Sequence, residues 1–227
     1  MQDVPSRVVV ELYTHPACAL PPLSVQLHAG AAAGGELVTV TATGEAAGLG
    51  AAAAGRAVFD AAVLPQSQPS RRWLLKLVRG AYGTAAHVAT AHAGHAPALL
   101  GVAPLPGGWT AVVMEALTDG WREYDARADE ERAAAAAAYD AALRVPGNVH
   151  GDLRPPNVLV RGGRGAGPVQ VAFLDWDWAG AAGTATYPLG LNPAIAWPEG
   201  AAAGAVVAAH HDERMLRGAL HGELRGQ

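Results

Sequence analysis

A chain of 227 residues with a formal net charge of −4 is long enough for one two-lobed domain or two small ones, and it can bury a core without disulfide help. Apolar residues make up 51% and charged residues only 16%, with alanine and glycine filling the difference; disorder needs low hydrophobicity and high charge, so the pattern is globular. No basic tract marks a nucleic-acid surface, no apolar run approaches the roughly 18 residues that span a bilayer, and a single cysteine, Cys18, allows no intrachain disulfide.

Residues 1–36 form an amino-terminal extension of unclear role. Met1 to Arg7 has an early acid and no apolar stretch after a basic start, so it does not read as a signal peptide, and cytoplasm or nucleus is the expected location. Val8–Val10 and Leu23–Leu27 are expected short strands, separated by turn-prone Pro16, Pro21 and Pro22. Leu37–Thr41 alternates and is rich in β-branched residues, which suits a strand. A loop with Gly44, Gly48, Gly50 and Gly55 follows, then strands over Ala57–Leu64 and Trp73–Val78 around a linker from Pro65 to Ser70. Tyr82 to His95 has helical composition and Pro97 follows it; Ala111–Glu115 is a buried strand. Residues 37–117 are thus expected to form a small sheet with one helix packed on it.

Residues 118–227 are expected to form a second lobe. Asp129 to Arg144 is a helix, with acids in its first turn and a basic residue in its last to suit the helix dipole, and Pro146-Gly147 stops it. Its alanine run is an excellent helix former without chemistry of its own. Val158–Val160 and Val169–Leu174 read as a hairpin around a glycine-rich turn. The tail from Ala179 is Gly/Pro-rich and irregular, and a helix is expected over His210–Leu224.

The chemistry concentrates in His150-Gly151-Asp152-Leu153-Arg154-Pro155-Pro156-Asn157, between the helix and the hairpin. Asp175 follows Asn157 by 18 residues and comes directly after an apolar strand. A phosphotransferase needs a carboxylate to orient an attacking hydroxyl and accept its proton, and oxygen donors to hold magnesium on nucleotide phosphates. Asp152 is placed for the first task, Asn157 and Asp175 for the second. Upstream, Lys76 sits in the middle of an apolar strand, where an ammonium is costly without an anionic partner; nucleotide phosphates would supply one. The loop carrying Gly48, Gly50 and Gly55 offers backbone N–H groups to the same phosphates.

The order of these parts resembles the protein-kinase-like superfamily: strand, glycine loop, strand, Leu74-Leu75-Lys76, helix, a strand ending Val113-Met114-Glu115, His150-Gly151-Asp152-x4-Asn157, and Leu174-Asp175-Trp176-Asp177. The His-Gly-Asp form is similar to aminoglycoside phosphotransferases and choline kinases. The tail, with Tyr187-Pro188, Leu191-Asn192, Trp197 to Gly200, and His211-Asp212 before Met215-Leu216, resembles kinase-like domains frequent in fungi and some protists. The resemblance covers roughly residues 37–216. It implies an α+β, two-lobed protein-kinase-like fold, with a small antiparallel-sheet amino-terminal lobe and a short, mainly helical carboxy-terminal lobe. It also implies ATP as co-substrate with Mg2+, an acceptor that is a protein or a small molecule, and neither nucleic-acid nor membrane partners. Asp152 would be the catalytic base, and Arg154 a cation near the γ-phosphate. Asn157 and Asp175 would bind magnesium, and Lys76 would contact the α- and β-phosphates. Glu115, Ala116 and Leu117 would form the hinge that meets adenine. Asp177 is either a second metal contact or a hydrogen-bonding group of the loop.

Other residues have plainer readings. His87, His92 and His95 are taken as solvated or capping, His210-His211-Asp212 as structural, and Trp176 and Trp178 as packing against the hairpin. Two departures from the pattern stand out. A kinase pairs its strand lysine with a glutamate on the next helix, and Gly80 to Leu100 contains no acid. The roughly fifty residues after Asp175 hold no Ala-Pro-Glu motif, so the usual substrate-binding helices are expected to be largely absent. An active phosphotransferase and a pseudokinase that binds nucleotide or protein therefore both remain open.

Overall fold

The structure is a computed structural model that describes residues 11–12, 23–28, 37–45, 57–64, 71–163, 165 and 167–218. The expected strand at Val8–Val10 and the glycines Gly48, Gly50 and Gly55 lie outside the described residues. Two compact units divide the chain: Met1–Ala81 with Ala98–Ala116, and Tyr82–Pro97 with Leu117–Gln227. Among the described residues, no helix is long and apolar enough to cross a membrane.

The first unit is a seven-stranded antiparallel sheet. Its strands are β1 (Glu11–Leu12), β2 (Leu23–His28), β3 (Leu37–Glu45), β4 (Ala57–Leu64), β5 (Trp73–Arg79), β6 (Leu99–Leu105) and β7 (Trp109–Glu115), in the order β1-β2-β3-β4-β5-β7-β6. In β3 the period of two puts Val38 and Val40 in the core, with Thr39 and Thr41 between them only partly covered. Trp73 and Leu75 of β5, Leu100 and Ala103 of β6 and Ala111 and Val113 of β7 complete that core. Alternation breaks in β5, where Leu75 and Lys76 are both buried.

The expected strand at Leu23–Leu27 is β2, and it joins the sheet by pairing with β3, Val25 opposite Val40. Strand β6 differs from the sequence expectation. Gly101 and Pro104 weaken its strand signal, but β6 is the last strand of the order, and an edge tolerates a proline that has no N–H to give. Pro106-Gly107-Gly108 turns β6 into β7; Gly107 and Gly108 have φ of 75° and 76°, a left-handed pair that glycine adopts without strain.

In the second unit, α1 (Thr84–His92) is shorter than the expected 82–95 helix and belongs with residues 117–227 rather than with the sheet. Its Ala86 lies in the second unit's core, and its Thr90 hydroxyl donates to the Ala142 carbonyl at 3.4 Å. After a short strand β8 (Arg122–Glu123), α2 (Asp129–Tyr139) runs on into a π turn at Asp140–Arg144. The alanine run lets α2 approach closely: Ala135 and Ala138 are buried beside Tyr139, Leu143 and Phe173. Strand β9 (Asn148–Val149) pairs with β12 (Gly180–Ala181), while β10 (Val158–Arg161) and β11 (Gln170–Phe173) form the hairpin, with β8 on the free side of β10. The described part of the last helix, α3, is Ala209–Gly218. Between β12 and α3 the chain is irregular, held by a bridge between Thr186 and Val206 and by a cluster of Val149, Tyr187 and Val207 with Trp178 and Trp197 around it.

Candidate active site

The hairpin sets the site. An antiparallel pair brings the residue before its first strand beside the residue after its second. Val158 of β10 lies opposite Phe173 of β11, and the pairing extends one step further because the Leu174 N–H donates to the Asn157 carbonyl at 2.8 Å. Asn157 and Asp175 therefore emerge at the same end of the hairpin. Asp175 has φ of +70°, the single non-glycine residue with positive φ among the described residues. A side chain there costs about 1–3 kcal/mol, and such a conformation persists only where its surroundings impose it.

The loop before β10 is fixed from beneath. Asp212 of α3, fully buried, accepts the His150 N–H at 2.6 Å and the Gly151 N–H at 2.8 Å, one on each carboxylate oxygen. Burial pushes the Asp212 carboxyl up to about 7, with the Asp152 and Glu213 charges adding to the rise, while the two N–H donors pull it down. The His150 ring is also held. Its Nε2 lies 2.8 Å from the Leu174 carbonyl, which only accepts, so Nε2 carries the proton; Nδ1 then accepts the Asp152 N–H at 3.2 Å. Gly151, with φ of +85°, packs its backbone against Trp178, where a Cβ would come within 3.1 Å.

Asp152 is 2% exposed. Arg154 grips its carboxylate with both arms of the guanidinium, Nε to Oδ1 at 2.5 Å and NH2 to Oδ2 at 2.9 Å. The Asn157 amide nitrogen donates to the Asp152 carbonyl at 2.7 Å and to Oδ2 at 2.9 Å. That fixes the flip of the amide and leaves its oxygen as the end with which Asn157 can meet a cation. Arg154, expected as a cation for phosphate, is thus an acid-paired cation in this structure, and the pair raises its guanidinium above the ordinary value.

Trp176, next to Asp175, is fully buried in a set of rings. The His87 ring lies 5.3 Å from it and within 5° of parallel, and the His150 ring is 4.9 Å away, tilted by 55°. His87 is therefore a buried stacking residue and not a solvated one. Gly83 and His87 are residues that the motifs do not reveal, whereas Asp212, expected as structural, is the acid that holds the loop backbone. One signal for Asp212 is present: His211, Asp212, Met215 and Leu216 are all buried, a one-sided helical spacing that sets an acid on the inner face of α3.

The remaining predicted residues belong mostly to the first unit. Lys76 is 5% exposed, in β5 between Val58 of β4 and Val112 of β7. Glu115 ends β7 and pairs with Arg71 at 3.5 Å. The N–H groups of Glu115 and Ala116 are taken by the Ala98 and Arg72 carbonyls, at 2.9 and 2.8 Å. Leu117 begins the second unit after the crossing. The structure brings Asp152, Arg154, Asn157 and Asp175 together; Lys76 and Glu115 are placed by the sheet.

The donors suit a particular kind of metal. Among the described residues, no group of three or more His, Cys, Asp or Glu could cage an ion. An amide oxygen from Asn157 and a carboxylate from Asp175 are hard ligands, few in number, which fits magnesium that arrives with phosphates as its other ligands.

These features have counterparts among known proteins. The model of the Phosphotransferase enzyme family matches residues 62–186, more than half of the chain, and that stretch contains Lys76, Asp152, Asn157 and Asp175. No curated protein matches the sequence. Among solved structures, the chain is similar to the Cydia pomonella granulovirus kinase PK-1, at 13% identity and a TM-score of 0.45, over 65% of this chain and 57% of the viral protein. The chain belongs to the Phosphotransferase enzyme family.

Proposed function

We propose that the chain moves the γ-phosphate of ATP, carried with Mg2+, to a hydroxyl group of a protein or a small molecule. The observation that carries this reading is the convergence of Asp152, Asn157 and Asp175 at one end of the β10–β11 hairpin, in a member of a phosphotransferase family. Bound magnesium would neutralise charge on the β- and γ-phosphate oxygens. Asn157, through its amide oxygen, and Asp175, through its carboxylate, are the residues we assign to hold it. Asp152 is assigned to accept the acceptor hydroxyl's proton on a carboxylate oxygen and to aim that hydroxyl. Arg154, already fixed beside that carboxylate, is assigned to the negative charge of the transferring phosphoryl group. Lys76 is assigned to the α- and β-phosphates, the glycines Gly48, Gly50 and Gly55 to the phosphate loop, and Glu115 with Leu117 to adenine. The cytoplasm is the compartment we assign, in keeping with a chain that has a single cysteine.

A second reading is a nucleotide-binding or interaction module without catalysis. It draws on one observation: α1, Thr-Ala-Ala-His-Val-Ala-Thr-Ala-His, holds no acid that could orient Lys76. Labelled ATP with Mg2+, tested for self-labelling and on generic protein and small-molecule acceptors, separates the two. The first reading expects transfer that falls by roughly 10²–10⁴-fold in Asp152→Asn. A wild type that is stabilised by nucleotide yet transfers nothing would give the chain to the second.

A further inference from the structure

The sheet of the first unit has one face in its core and another that carries Lys76. Trp73 and Leu75 of β5 point into the core, so Leu74 and Lys76 point to the other face. Residues opposite each other in an antiparallel pair share a face, which sets two rows there. Lys76 stands between Val58 of β4 and Val112 of β7, and Leu74 stands between Asp60 and Met114. The rows are two residues apart, roughly 7 Å. Val112 is fully buried and Met114 nearly so, which makes Asp60 a carboxylate at the edge of an apolar strip. Glu115, the other acid of β4 to β7, stands opposite Trp73 and belongs to the core face.

Two local devices fix Asp60. β3 and β4 shift register between Ala42 and Gly44, and the extra residue, Thr43, donates its hydroxyl to the Asp60 carbonyl at 3.1 Å. Such bulges re-aim a side chain and are over-represented next to active sites. The carboxylate is held by Arg72, whose NH2 donates to Oδ1 at 3.1 Å. An ionised carboxylate has about four lone-pair sites and only accepts, so one arginine bond leaves it able to take another donor. The Arg72 carbonyl in turn accepts the Ala116 N–H at 2.8 Å, at the end of β7 that the function reading gives to the base. A nucleotide with its phosphates at Lys76 and its base at that end runs from one row to the next and passes Asp60. Its nucleoside brings donors there, the ribose hydroxyls and the amino group of the base. We infer that Asp60 is a specificity-determining residue that accepts a hydrogen bond from the nucleoside of the bound nucleotide, with Arg72 setting its direction. This rests on the reading of Lys76 as a phosphate ligand.

The test measures the binding of four probes, with Mg2+, to the full-length wild type and to Asp60→Ala. ADP carries every donor. 2′,3′-Dideoxy-ADP lacks both ribose hydroxyls, purine riboside diphosphate lacks the amino group of the base, and inorganic triphosphate has no nucleoside. A hydrogen bond to a charged group is characteristically worth a factor of about ten or more, so Asp60→Ala should bind ADP about tenfold more weakly. Inorganic triphosphate should bind both proteins alike. The analogue without the donor that Asp60 accepts should bind the wild type about tenfold more weakly than ADP does, and lose nothing further in Asp60→Ala. The other analogue should behave as ADP does, and the pair thus separates ribose from base. Should Asp60→Ala not fold, Asp60→Asn keeps one acceptor oxygen without the charge, and should show the same pattern with a smaller factor. Unchanged ADP affinity in a folded variant overturns the inference. So does an equal loss with inorganic triphosphate, which marks Asp60 as support for the fold, and so does an equal loss with both analogues, which shows that neither donor is the one accepted. A wild type that binds neither ADP nor inorganic triphosphate overturns the function reading instead, and is visible before any substitution is made.

Discussion

Gly83 shows how a single position can reverse a general rule. Its φ of −73° is one that any residue adopts, and glycine to alanine at such a site ordinarily stabilises by about 0.4–1 kcal/mol through the unfolded chain. Here the new methyl would meet two backbone oxygens that cannot rotate aside, at 2.5 and 2.7 Å. Gly83→Ala should therefore destabilise by about 1–3 kcal/mol in urea unfolding. Gly190→Ala is the control: its Cβ would meet nothing within 4 Å, so it should be neutral or mildly stabilising. The contrast also explains which residues the sequence discloses. Asp152, Asn157 and Asp175 keep a spacing set by one loop and one hairpin, and such spacing survives in a linear chain. Gly83 answers to Ala179, and Asp212 answers to His150 from 62 residues away. A long-range contact leaves no period in the sequence. His87 was hidden for a related reason, since an alanine-rich helix has little apolar contrast to mark its buried face.

At the level of elements, the strands with strong alternation or β-branched runs were legible and those without were not. β3, β4, β5 and β7 announce themselves; β6, with Gly101 and Pro104, and the two-residue strands β8, β9 and β12 exist because a partner strand is present to receive them. The junction of β8 with α2 depends on one buried charge. Glu131, 1% exposed, accepts the Asp125 N–H at 2.9 Å and meets Arg122 at 2.7 Å, the arginine itself being 36% exposed. Removing one partner strands a buried carboxylate, which costs several kcal/mol in a dry interior; water that reaches Arg122 reduces this. Arg122→Ala should thus lose about 1–3 kcal/mol of stability by denaturant unfolding. Adding Glu131→Gln should restore a good part of that loss, because the stranded charge is gone. A double variant no better than the sum of the two singles would mean that the pair is not coupled.

For the molecule as a whole, Asp212 ties the order of the loop to pH and to global stability with opposite signs. The folded chain raises this carboxyl from its ordinary value to about 7, chiefly through burial. Between about pH 4 and 7 the folded protein holds a proton here that the unfolded chain has released. This group's contribution to stability is therefore full at low pH and falls as pH rises, by up to about 1.4 kcal/mol per unit, levelling off above 7. The loop responds the other way. Both oxygens accept backbone N–H groups, and a proton on either takes up one of that oxygen's lone pairs and removes the charge that strengthens both bonds, which loosens His150 and Gly151. The charge that weakens the whole is thus the one that holds the loop before β10. Two measurements test this together. The unfolding free energy of the wild type minus that of Asp212→Asn should decline from pH 4 to 7 and then stay flat. Amide exchange at His150 and Gly151, corrected for its intrinsic pH dependence, should quicken in the wild type below pH 7. A stability difference without slope over that range would show that Asp212 stays ionised throughout, held by its two donors against the burial that opposes them.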